Sequence, residues 1–144
     1  MKENLKVYIT DDSLDMIHAM KEELRKHSVY QVIGSASNGE QVLRELHGKQ
    51  IDILVLDMIM SKKDGVSVLR ELKQNQISVA HIICTTPFIS ETILTQVQHF
   101  HADYLMVKPF ALSELIEKMN IVTGLREAGS ISTVEWNVSQ SDDE

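Results

Sequence analysis

Three aspartates, a pair of threonines and one lysine are the residues of this 144-residue chain whose types and spacing can do chemistry together. Asp11 and Asp12 follow the apolar run Leu5-Lys-Val-Tyr-Ile9, and Asp57 ends the run Ile53-Leu-Val-Leu56. Thr85 and Thr86 end Ala80-His-Ile-Ile-Cys84, and Lys108 ends Tyr104-Leu-Met-Val107. Carboxylates gathered in a poorly solvated pocket repel one another, and a divalent cation relieves that repulsion. Oxygen-only ligands suit a hard ion such as Mg²⁺ or Ca²⁺. A hydroxyl and an ammonium facing the acids are the donors that phosphoryl oxygens need. The chemistry that uses the whole set is in-line phosphoryl transfer to the Asp57 carboxylate, giving an aspartyl phosphate. Taken singly, each piece has a plainer explanation: a turn cap, a turn acid pair, β-propensity, a strand stop. Convergence of all of them on one edge is what the chemistry requires.

The elements that must do the positioning follow from periodicity. Ile53 to Leu56 is apolar without alternation, the pattern of a strand covered on both faces. Leu5–Ile9, Gln31–Ala36, Ala80–Thr86 and Tyr104–Lys108 supply four more short strands, the last two ended by Pro87 and Pro109. Helices are expected between them. The first has Leu14, Ile17, Met20 and Leu24 on its inner face and Ser13 as cap. Ser37-Asn-Gly-Glu40 matches a capping box for the second. Gly65 leads into the third, and Ser90 and Ser113 cap the fourth and fifth. Five strand–helix repeats predict an α/β fold, a five-stranded parallel sheet with helices on both faces and right-handed crossovers. The carboxyl ends of all five strands then share one edge, where such sheets place their ligands. Residues 4–123 form this domain. Residues 124–144 read as a linker or flexible C-terminal tail, rich in Ser, Asn and Asp. Within the tail Val134, Trp136 and Val138 alternate as a short strand or docking segment would.

Composition narrows the function classes. A formal charge of −7 argues against a nucleic-acid-binding surface. No apolar stretch approaches the roughly 20 residues needed to span a bilayer, and the start resembles no signal peptide. The single cysteine, Cys84, can form no internal disulfide, which favours a cytoplasmic location.

The ordered set Asp11-Asp12, Leu56-Asp57-x-x-Met60-x-x-x-Asp64-Gly65, Thr86 and Lys108-Pro109-Phe110 resembles the receiver domains of bacterial two-component response regulators. These share the flavodoxin-like (βα)5 order of CheY. The resemblance implies that Asp57 is the phosphoacceptor, and that Asp11, Asp12, Asp57 and the backbone carbonyl of Ile59 hold Mg²⁺, or Ca²⁺ or Mn²⁺ in its place. It implies Thr86 as the switch hydroxyl and Lys108 as the phosphate-contacting amine. It also implies a histidine kinase or histidine phosphotransferase as donor, and a switch rather than an enzyme, with self-catalysed phosphoryl transfer and dephosphorylation at most. A second receiver is expected to dock through the last two helices and the fifth strand. Val32-Ile-Gly-x-Ala-x-Asn-Gly39, Asp52-Ile-Leu-Val-Leu-Asp-x-Ile-Met60 and Tyr104–Phe110 are similar to receivers of the sporulation-regulator type. That likeness implies a phosphorelay in which the receiver is the input of a transcription regulator whose DNA-binding domain is absent from this chain. A stand-alone receiver and a degenerate protein-binding receiver are the alternatives.

Three residues depart from the family pattern. Ser61 replaces a proline, which is expected to loosen the loop beside Asp57. Pro87 replaces a small residue, which is expected to stiffen the loop after Thr86. Leu105 stands where a switch ring is common, with Tyr104 expected on the opposite face. A flavodoxin-like electron carrier would need a Ser/Thr/Gly-rich phosphate loop after the first strand, where this chain has acids. A phosphatase of the haloacid-dehalogenase type would need its two acids two residues apart, whereas Asp11 and Asp12 are adjacent.

Overall fold

The computed structural model of the chain describes residues 4–125 and 135–137. Its strands are β1 (Leu5–Thr10), β2 (Tyr30–Ala36), β3 (Ile51–Asp57), β4 (Val79–Thr86), β5 (Tyr104–Val107) and β6 (Glu135–Asn137). Its helices are α1 (Leu14–Arg25), α2 (Gly39–Leu46), α3 (Gly65–Gln74), α4 (Glu91–His99) and α5 (Leu112–Val122). The sheet order is β2-β1-β3-β4-β5-β6, and the first five strands are parallel. Strand β3 lies centrally, and the four residues Ile53 to Leu56 are fully buried. Each such aliphatic side chain contributes about 1.5–3 kcal/mol by leaving water, so the backbone that delivers Asp57 is among the most firmly held in the molecule.

The core divides into two layers, one on each face of the sheet. Tyr8, Leu54, Leu56, Cys84 and Leu105 pack toward α2, α3 and α4. Val7, Ile53, Val55, Ile83 and Tyr104 pack toward α1 and α5. Tyr104 and Leu105 thus point to opposite faces, as the pleat requires. Among the described residues no helix is long and apolar enough to cross a membrane.

The structure adds a strand to the five expected. Residues 135–137 pair antiparallel with β5, Leu105 opposite Trp136, so the sheet gains an edge strand within the segment read as a linker or tail. Val134 and Val138 lie outside the described residues. Three local expectations are corrected. Leu14 is 65% exposed rather than buried, as the first residue of α1. Helix α2 is capped by Asn38, whose Oδ1 accepts from Gln41 N at 2.9 Å, and not by Ser37. Glu40 is then the second helical residue and not the third, so no capping box closes. Helix α5 starts at Leu112, which places Ser113 inside it; Glu114 instead accepts the backbone N–H of Ala111 at 2.9 Å. Ser13 and Ser90 cap α1 and α4 as expected.

Candidate functional site

Parallel register brings the strand ends together: Asp57 is level with Thr85, and Thr86 with Val107. The first turn beyond β3 is then tied down. Met58 N–H donates to the Thr85 carbonyl at 2.8 Å, and Gly65 N–H to the Met58 carbonyl at 3.1 Å. Gly65 is required by space: a Cβ there would lie 2.6 Å from Met58 Cα and 2.8 Å from the Asp57 carbonyl oxygen.

Asp57 is fully buried, Asp11 nearly so, and Asp12 exposed. Carboxylate oxygens of the three lie within 4.8 Å of one another. The Lys108 ammonium bridges two of them, 2.7 Å from Asp11 Oδ2 and 2.9 Å from Asp57 Oδ2. Asp57 Oδ1 accepts the Ile59 N–H at 3.0 Å, and Asp11 Oδ1 accepts the Ser13 N–H at 2.9 Å. The Asp12 N–H reaches Asp57 Oδ2 at a long 3.4 Å.

The electrostatics are those of an underneutralised cluster. Burial pushes the Asp57 carboxyl above the usual carboxylate range; Lys108 and the Ile59 N–H pull it down without cancelling the rise, and the charge on Asp11 adds to it. Burial presses the Lys108 ammonium downward, but its hydrogen bonds and charge contacts with Asp11 and Asp57 outweigh that and hold it above its ordinary value. One ammonium among three carboxylates leaves two negative charges in excess. An all-oxygen donor set of that charge fits a hard divalent cation.

The structure therefore brings Asp11, Asp12, Asp57 and Lys108 together, with Ile59 on the same carboxylate through its N–H. Thr86 is different. Its hydroxyl donates to the Phe88 carbonyl at 2.8 Å, turned into its own loop and not toward Asp57. Thr10 went unnoticed in the sequence as a site residue: its hydroxyl accepts the Asp57 N–H at 2.9 Å and is fully buried. The available signal was its place as the last residue of β1 directly before the acid pair. Ser61 does not leave its loop free, since its carbonyl lies 3.5 Å from Gly39 N and it bridges to Asn38.

A sheet of this order with acids at its carboxyl edge places the chain among α/β proteins of the flavodoxin and CheY type. It belongs to the response regulator receiver domain family, whose model matches residues 7–120. Its fold is similar to that of a Francisella response regulator receiver domain, at 24% identity and a TM-score of 0.74, over 85% of this chain and 98% of that one. It is similar to the isolated REC domain of RcsB from Salmonella enterica serovar Typhimurium, solved with the phosphomimetic BeF3⁻, at 19% identity and a TM-score of 0.76, over 96% and 98% of the two chains. A chain of the CheX–CheY–BeF3–Mg²⁺ complex from Borrelia burgdorferi matches at 22% identity and a TM-score of 0.73, over 84% and 90%.

Proposed function

We propose that the chain is a phospho-accepting switch in which Asp57 takes a phosphoryl group from a phosphohistidine on a partner kinase or phosphotransferase. The observation that carries this is the buried Asp57 carboxylate, with the Lys108 ammonium at 2.9 Å and the Asp11 and Asp12 carboxylates beside it. One Asp57 oxygen attacks phosphorus as the phosphorus–nitrogen bond breaks, and the electron pair leaves on the donor imidazole. Asp11, Asp12, Asp57 and the Ile59 carbonyl are the residues that would hold Mg²⁺, and the ion would offset charge on the phosphoryl oxygens. Lys108 already sits between Asp11 and Asp57 and needs only to pass from a carboxylate to a phosphoryl oxygen. Acetyl phosphate with Mg²⁺ should add the mass of one phosphoryl group, and EDTA should suppress the gain. No gain with Mg²⁺ present would remove the proposal.

Output through a sporulation-type transcription regulator rests on three sequence stretches alone, and reading frame beyond residue 144 is its test. Docking of a second receiver is a further part of the proposal. The β5 edge carries β6 along Tyr104–Met106, so the free surface for a second copy is that of α4 and α5. Phosphorylation should draw the Thr86 hydroxyl from the Phe88 carbonyl toward the phosphoryl group, and Leu105 offers a smaller side chain than a ring to follow it. A shallow switch results, biasing an existing monomer–dimer equilibrium by a few-fold to a hundredfold, or about 1–3 kcal/mol. Sedimentation with beryllofluoride should show tighter association that Thr86→Ala abolishes. An unchanged association constant, or an effect that survives in Thr86→Ala, counts against it.

A further inference from the structure

The turn that carries Ile59 runs from Met58 to Asp64, and its apex is held in an unusual way. Lys62 and Lys63 both take positive φ, 47° and 79°, in the left-handed region that side chains oppose. Something outside the turn must keep them there. The N-terminus of α2 faces this apex. Four N–H groups at the start of a helix lack partners within it. In α2, the Asn38 side chain takes one of them, its Oδ1 accepting from Gln41 N at 2.9 Å. Two more point at the turn: Glu40 N–H donates to the Lys62 carbonyl at 3.0 Å, and Gly39 N to the Ser61 carbonyl at 3.5 Å. The positive end of the helix dipole favours those carbonyls further.

Gly39 makes this contact sterically possible. It is buried, and a Cβ on it would lie 2.2 Å from the Lys63 carbonyl oxygen and 2.8 Å from Lys63 Cβ. Because the main obstacle is backbone, an alanine would push the apex back by about 1 Å to reach ordinary contact. On the far side, the Lys63 ammonium pairs with Glu71 of α3. The turn is thus gripped by β4 at its start, α2 at its apex and α3 at its end.

We propose that Gly39, with the Glu40 N–H, is a positioning element for the phosphoacceptor turn, acting through Lys62 and Lys63 on the cation geometry beside Asp57. The proposal rests on the phosphoacceptor role given to Asp57. Gly39→Ala removes the space, and Glu40→Pro removes the donor in a first helical turn that tolerates proline. Leu46→Ala, fully buried at the other end of α2, is the control for lost stability. Calorimetry should show Mg²⁺ affinity about tenfold lower in Gly39→Ala and Glu40→Pro, the size usual for loss of a group that orients a ligand. Phosphorylation should recover at saturating Mg²⁺, and Leu46→Ala should stay within about twofold of wild type in affinity. In the metal-free protein, amide exchange through residues 59–63 should speed up in both variants and not in Leu46→Ala. Wild-type Mg²⁺ affinity and wild-type exchange in Gly39→Ala and Glu40→Pro would overturn the proposal, as would an equal loss of affinity in Leu46→Ala. Should the wild type bind no Mg²⁺ and take up no phosphoryl group, the functional assignment fails, and the exchange comparison still decides whether α2 holds the turn.

Discussion

Asp57→Asn is expected to abolish phosphoryl uptake and, at the same time, to raise the unfolding temperature at neutral pH in the absence of divalent ions. The amide is a poor nucleophile and cannot form the acyl phosphate. It keeps an oxygen for the Ile59 N–H, and Lys108 keeps its contact with Asp11. The stability gain follows from the direction of the Asp57 shift. Its carboxyl titrates higher in the fold than in the unfolded chain, with burial as the leading cause. Folding therefore favours the protonated form: the stabilisation is full below the unfolded-chain value and lost as pH rises through the folded one. At neutral pH the wild type carries the whole cost of the buried charge, and the asparagine variant does not. A gain of about 1 kcal/mol, or about 3 °C, is expected at pH 7, and it should shrink as pH falls through the carboxylate range. Thermal melts across that range check it. A variant no more stable than wild type at pH 7 would show that Lys108 already compensates the charge.

The second large effect is expected at Asp12. Asp11 is committed to the Ser13 N–H and to Lys108, whereas Asp12 is exposed, and no side-chain bond holds its carboxylate among the described contacts. Asp12 is therefore the acid best placed to give an oxygen directly to a cation, with Asp11 acting through water. Affinity for hard cations tracks the count of charged ligands. Asp12→Ala should lower Mg²⁺ affinity by at least about tenfold and slow phosphorylation in proportion, with little change in stability, since the lost group is solvated. Calorimetry is the check. Unchanged affinity would mean that the Asp11-Asp12 pair serves the β1–α1 turn and not a metal.

Much of this site could be read from the chain because strand ends are written in short-range patterns. Ile53 to Leu56 is apolar without alternation, so a central strand and the position of Asp57 at its end followed directly. Asp11 and Lys108 were placed by the same logic, since parallel strands in this connection must end on one edge. What could not be read depends on partners distant in sequence. Thr10 differs from any strand threonine only because the Asp57 N–H, 47 residues on, meets its hydroxyl. Ser61 looked like a loosening substitution because a lost proline adds local freedom. The α2 N-terminus that takes up its carbonyl is visible only once both loops are side by side. The Thr86 hydroxyl was expected at the site, yet a carbonyl two residues ahead is closer to hand. The strand at residues 135–137 was legible only as the alternation of Val134, Trp136 and Val138 in a Ser- and Asp-rich tail, too short a pattern to separate a strand from a docking segment.

The central claim is that Asp57 is the residue phosphorylated, and borohydride reduction tests it most directly. Protein treated with acetyl phosphate and Mg²⁺ is reduced, which converts an aspartyl phosphate to homoserine, and is then digested and sequenced by mass. Homoserine at position 57, dependent on Mg²⁺ and missing from Asp57→Asn, is the predicted result. Homoserine at Asp11, Asp12 or another aspartate, with Asp57 unmodified, would contradict the account.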